Sequence, residues 1–167
     1  ALLLASGWDG RTPLLDPFCG SGAIVIEAAL LARRRAPGRG RRFAFQAWPG
    51  YDAARFAVLV AAADARAKAA PAPPPLAGSD RDAGAVAAAL ANARRAGVEG
   101  DVAFAKRAVA ALVPPSEATG FVVTNPPHGL RLSRGADLRD LYAQLGWTLR
   151  ARCPGWRVAL LSPGPRL

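Results

Sequence analysis

Three short clusters in this chain bring together residue types that can hold a nucleoside and act on an amine. The first is Asp16-Pro17-Phe18-Cys19-Gly20-Ser21-Gly22. Glycines at 20 and 22 let the backbone turn sharply and come close to a ligand. The free N–H groups of a helix starting there favour an anionic group such as a carboxylate. A phosphate-binding loop would end in Gly-Lys-Ser/Thr, whereas this run continues Gly22-Ala23-Ile24. A dinucleotide fingerprint would have a third glycine where Val25 stands. Alone, the run reads equally well as a tight structural turn.

The second cluster is Gly78-Ser79-Asp80, at the end of an apolar segment. In an open α/β sheet an acid at the carboxyl end of the second strand lies beside the first turn and can accept both hydroxyls of a ribose. The competing role is capping the next helix. Asp82 is better placed for that, which leaves Asp80 free for a ligand. The third cluster, Thr124-Asn125-Pro126-Pro127-His128-Gly129, follows another apolar run. The Asn125 side-chain oxygen and the Pro126 carbonyl can both accept from one –NH₂ group, orienting its lone pair and offsetting charge developed as nitrogen attacks a sulfonium methyl. His128 would lie against the flat face of a base. As a turn alone, Asn-Pro-Pro is merely a strand terminator. Its specificity comes from the company of the other two clusters at matching strand ends.

These clusters need strands to end where they begin. Leu14-Leu15-Asp16 reads as a short buried strand, and Ile24, Ala28 and Leu31 recur at helical spacing from Gly22 to about Arg35, where Pro37-Gly38 stops the helix. Residues 39–51 form an ordered excursion mixing arginines with Phe43, Phe45 and Trp48. Residues 52–69 are Ala-rich and helical, and Pro71–Pro75 is a stiff connector. The pattern predicts a second strand ending at Asp80 and a helix capped by Asp82, running through Val86 and Leu90 to Gly97. Val102–Ala105 and Phe121–Thr124 follow as strands, the latter cut off by Pro126-Pro127. Asp137 would start a helix with Leu138, Leu141, Tyr142, Leu145 and Leu149 on one face, ended by Pro154-Gly155. Trp156–Leu161 is a fifth strand. Strand–helix alternation predicts a mostly parallel sheet with helices on both faces.

The chain has 167 residues and a formal net charge of +10, nearly all its positive charge being arginine. That balance suits a polyanion, although a GC-rich genome raises Arg and Ala together. No apolar stretch approaches the length of a membrane span and no leader is visible, so a cytoplasmic protein is expected. Two cysteines far apart and a single His argue against a zinc site or a Cys–His pair. The expected state is two reduced thiols and no metal. Methionine is absent and the chain opens inside an apolar run, which reads as a piece of a longer protein.

Together the three clusters resemble the class I S-adenosylmethionine-dependent amino-methyltransferases, a Rossmann-like fold. More closely, the chain resembles the guanine-N2 RNA methyltransferases that carry a THUMP RNA-binding domain, in their RlmL-like branch acting on 23S ribosomal RNA. Glu27-Ala28-Ala29, Ala36-Pro37-Gly38, Asn92-Ala93 and Leu141-Tyr142 extend the resemblance over nearly the whole chain, and the excursion around Trp48 favours ribosomal over transfer RNA. The resemblance implies that Asp16, Pro17, Phe18, Cys19, Gly20 and Gly22 line a cofactor site, with Asp80 and Arg81 at the ribose. It implies that Asn125, Pro126, Pro127 and His128 handle the target amine. It also implies a single methyltransferase domain over residues 1–167, clipped of a preceding RNA-binding domain and of later strands. Two positions depart from the family: Ala108 stands where an acid contacts the adenine amine, and His128 where a tyrosine is usual. The arginines at 33–35, 39, 41 and 42 could contact phosphates or, equally, complement a helix dipole and stay solvated. Trp8, Trp147 and Trp156 are expected in the core. Trp48 and Phe45, set among arginines, are the better candidates for RNA contact, with local packing the favoured reading of the two.

Overall fold

The computed structural model describes residues 1–127 and 138–162. Its centre is a five-stranded sheet in the order β3-β2-β1-β4-β5 with every pairing parallel. The strands are β1 (Leu14–Asp16), β2 (Leu76–Asp80), β3 (Ala103–Lys106), β4 (Phe121–Thr124) and β5 (Arg157–Leu160). β1 and β4 are buried throughout, as near-continuous apolar runs in a two-sided parallel sheet should be. In register, Leu14 of β1 lies between Leu76 of β2 and Phe121 of β4.

The pleat sends alternate residues to two cores. Leu14, Leu76, Phe121 and Val123 face α2 (Ala23–Ala32) and α4 (Ala83–Ala96), with Leu3 of the short α1 (Leu2–Ala5) and Trp8 joining them. Leu15 and Val122 face α5 (Leu138–Arg152) through Leu145 and Leu149, with Leu112 and Cys153. Helices therefore cover both faces. Asp82 caps α4 by accepting from the Gly84 N–H at 2.7 Å, and Gly97 ends it at a left-handed φ of 65°.

Several expectations need correction. α2 ends at Ala32, not near Arg35, because Arg34 adopts φ 52° and the Arg35 N–H reaches back to the Leu30 carbonyl, closing the helix before Pro37. Its buried face is Val25, Ile26, Ala28, Ala29 and Ala32, while Leu31 is exposed; likewise α4 buries Val86, Ala89 and Ala93 and leaves Leu90 out. Trp147 is 70% exposed, since Leu145, Thr148 and Leu149 take the inward face of α5. Trp8 is in the core, its indole N–H donating to the Thr12 carbonyl, and Trp156 is packed against the second core. The strands β3 and β5 start one residue later than predicted, and the expected helix start at Asp137 lies outside the described residues.

Between α2 and β2 the chain makes a long detour, residues 33–75, where such connections are usually a few residues. It holds a 3-10 turn (Ala44–Ala47) and α3 (Ala53–Lys68), capped by Asp52 accepting from Arg55 N–H. No residue of α3 is fully buried. The detour is held by its own aromatic cluster: Phe43 and Phe45 stack at 5.4 Å, and Phe56 meets Phe45 edge-on at 5.4 Å. Two ion pairs fasten it, Arg33 to Asp101 ahead of β3 and Arg39 to Asp64 within α3.

Candidate functional site

The direction of sheet growth reverses at β1: β2 and β3 lie on one side, β4 and β5 on the other. Ligands of open α/β sheets bind at the carboxyl ends of strands beside such a reversal. The glycine turn leaves β1 at this edge, Asp80 ends β2, and Asn125 follows β4.

Hydrogen bonds tie these pieces together. Asp80 Oδ2 accepts from the Gly20 N–H at 3.0 Å, and its Oδ1 accepts from the Asp82 N–H at 3.0 Å. Asp80 is thus not free, as the sequence suggested; it braces the turn as well as ending its strand. A carboxylate offers about four acceptor positions, so half-buried Asp80 retains capacity for ribose hydroxyls. The Cys19 N–H donates to the Ser79 carbonyl at 3.0 Å, and Asn92 of α4 donates from Nδ2 to the Ser21 carbonyl at 2.8 Å. Asn92, one of the residues that extend the family resemblance, thus holds the turn from α4, a role its local sequence does not reveal.

Gly22 is the N-cap of α2 at φ 85° and has no side chain with which to cap the first turn. A Cβ there would meet the Phe104 ring at 2.9 Å and the Ala89 Cβ at 3.0 Å. Gly20 sits at φ 50° with nothing within 4 Å of the place a Cβ would occupy. One glycine is demanded by packing, and the other leaves open space beside backbone. That cradle, with an uncapped helix start and an acid at its flank, fits a nucleoside bearing a carboxylate.

Asp16, Pro17 and Cys19 are buried, Phe18 is half-buried and Arg81 is exposed. Asp16 Oδ1 accepts from Thr124 Oγ1 at 2.6 Å and from the Phe18 N–H at 3.1 Å. The first of these bonds links the ends of β1 and β4 across the reversal point. Burial pushes the Asp16 carboxyl up to about 7, against the pull of the Thr124 and Phe18 hydrogen bonds, with Asp80 adding to the rise. Burial, with the Asp16 and Asp80 carboxylates nearby, pushes the Cys19 thiol up to about 12. Both cysteines are free.

Asn125 is exposed, Pro126 buried and Pro127 half-buried; His128 lies outside the described residues. Ala108 is exposed just past β3, at the cap of a 3-10 turn (Val109–Ala111), and has no side chain to cap it. No cluster of three or more metal-ligating side chains occurs among the described residues, nor is any described helix long and apolar enough to cross a membrane.

The 3-2-1-4-5 parallel sheet, the glycine turn after β1 and the acid ending β2 define a Rossmann-like, class I methyltransferase domain. The family model described as RMKL-like, methyltransferase domain matches residues 1–166, and the chain belongs to that family. It is 44% identical over 164 residues to a ribosomal RNA large subunit methyltransferase K/L of Shewanella sp. (strain W3-18-1), covering 96% of this chain and 23% of that protein. The chain therefore spans about a quarter of the length of the curated relatives it matches. Among solved structures it is similar to one described as SMU.472, a putative methyltransferase complexed with SAH, at TM-score 0.82 and 33% identity, covering 90% of this chain and 39% of that one. It is similar also to a predicted N6-adenine-specific DNA methylase from Listeria monocytogenes, at TM-score 0.85 and 33% identity, covering 98% and 42%.

Proposed function

We propose that this chain is the catalytic unit that transfers a methyl group from S-adenosylmethionine to the exocyclic N2 amine of a guanosine in RNA, with large-subunit ribosomal RNA as the substrate class. The observation that carries the reading is the assembly of the glycine turn, Asp80 and Asn125 at one sheet edge, where Gly20 donates to Asp80 and Thr124 donates to Asp16 between the neighbouring strand ends. The names of the ribosomal RNA methyltransferase relatives support methyl transfer to ribosomal RNA, and the SAH-bound neighbour supports the cofactor.

S-adenosylmethionine, when bound, supplies an electrophilic methyl group on a sulfonium. The N-terminus of α2 offers backbone N–H groups to the amino-acid carboxylate, and Asp80 accepts from the ribose hydroxyls. Asn125 accepts from the target amine, holding its lone pair on line for attack and offsetting the charge that develops on nitrogen. The base is presented outside its stack, with Pro127 and His128 beside it. No dedicated base is needed, because the proton can pass to water after attack.

Calorimetric titration of the full-length protein with S-adenosylhomocysteine, alongside Asp80→Ala, tests the cofactor half: saturable binding that the variant loses is expected. Asn125→Ala should keep that affinity nearly unchanged while removing methyl transfer, and equal loss of both would contradict the assignment. A second reading, adenine-N6 methylation of DNA, is favoured by the name of the Listeria neighbour. The same Asn-Pro-Pro apparatus serves any exocyclic amine, so labelled methyl transfer to RNA and not to DNA is the discriminating outcome.

A further inference from the structure

The detour between α2 and β2 concentrates charge that the catalytic edge does not use. Residues 33–68 hold nine Arg and Lys against two Asp, a net +7 out of the chain's +10. Among the described residues, only Arg33 and Arg39 of these cations form ion pairs. Arg41, Arg42, Arg55, Arg66 and Lys68 are all exposed. Trp48, 67% exposed, shares a cleft of about 460 Å³ with Tyr51 and Arg55.

The detour sits at the opposite edge of the sheet from the glycine turn. α2 leaves the catalytic edge and runs back along the strands, so residue 33 emerges where the strands begin. Arg33 pairs with Asp101 just before β3, and Arg35 donates to the Ala96 carbonyl at the end of α4 at 2.9 Å, fixing that placement. α3 is not needed to cover the sheet, since none of its residues is fully buried.

We propose that this detour is an RNA-docking arm, separate from the methyl-transfer edge, in which the unpaired arginines contact phosphates and Trp48 stacks on an unpaired base. The proposal rests on the RNA reading above. Cations without acidic partners gain by releasing phosphate counterions. An exposed indole flanked by an arginine is a platform on which any base can stack. A polyanion is the partner whose charge complements a surface carrying net +7 over residues 33–68.

The test uses the full-length protein, with fluorescence anisotropy of a labelled oligouridylate of about 15 nucleotides over a salt series. Trp48→Ala should weaken binding about tenfold. Replacing Arg41, Arg42 and Arg55 together by alanine should reduce the slope of log affinity against log salt by about 2. Photo-crosslinking with 4-thiouridine should map to the peptide carrying Trp48. Unchanged affinity and slope, or crosslinks confined to other segments, would overturn the arm. So would Trp48 being protected from hydroxyl-radical oxidation in the RNA-free protein, because the arm would then be an intramolecular contact. Both variants should retain S-adenosylhomocysteine binding that Asp80→Ala abolishes. If that binding persists while the RNA effects are missing, only the arm is refuted, whereas its absence in the unaltered protein would refute the functional reading itself.

Discussion

Asp16→Asn should change how stability depends on pH. The Asp16 carboxyl is 1% exposed, and burial raises it from an ordinary 3.8 to about 7. The native state therefore holds a proton that the unfolded chain releases much earlier. Below about pH 4 both states are protonated and nothing is lost; as pH rises toward 7 only the unfolded state gives up its proton, so native stability falls. Above about 7 both are ionised and the destabilisation is complete, on the order of 4 kcal/mol at about 1.4 kcal/mol per tenfold change in proton affinity. Between about pH 5 and pH 8 the change is about 2.5 kcal/mol. Urea unfolding of both proteins across that window reads it. Carboxylates that do not interact with Asp16 contribute equally to the two proteins, so the difference between the curves isolates Asp16 and its coupling to Asp80. The expected result is a wild-type curve that falls relative to the variant as pH rises. Parallel curves would refute the reasoning. A wild type that gains on the variant would mean that the hydrogen bonds from Thr124 and Phe18 outweigh burial and keep Asp16 ionised.

Arg34→Gly should raise stability by about 1 kcal/mol in denaturant unfolding, because a side chain at φ 52° is strained where glycine is not. Ala108→Asp should tighten S-adenosylhomocysteine binding by about 0.5–1.5 kcal/mol in calorimetry, by supplying one hydrogen bond to the adenine amine; unchanged affinity would place the adenine elsewhere. Gly78→Ala should lower thermal stability by about 1–3 kcal/mol, since its Cβ would meet the Phe104 ring at 2.7 Å and the Cys19 Cβ at 2.9 Å.

Local signals were legible in the sequence. Asp82 and Gly97 bound α4 as read, because caps act within one turn and need no knowledge of the rest of the fold. Strand–helix alternation led to the parallel sheet because each short apolar run is followed by a capped or proline-marked segment. Non-local facts were not legible. The premature end of α2 depends on an arginine taking a conformation that usually advertises itself as glycine. The outward turn of Trp147 reflects which face of α5 packs on the sheet, that of Leu145, Thr148 and Leu149. Asp80 bracing Gly20 and Asn92 holding Ser21 span separations of 60 and 71 residues, so pattern could bring the residues to one edge but not show who holds whom.

The bond from Thr124 to Asp16 joins neighbouring strands at the centre of the sheet. Adjacent strands keep a spacing of about 4.8 Å set by peptide hydrogen bonding. On the proposed reading, donor and acceptor of the methyl group are thus positioned by a ruler of backbone, which side-chain drift in the surrounding loops cannot lengthen. Sequence change in those loops can then alter which substrate is admitted while the span across which the methyl moves stays constant. Recognition is free to diversify, and the transfer step inherits its dimensions from the sheet.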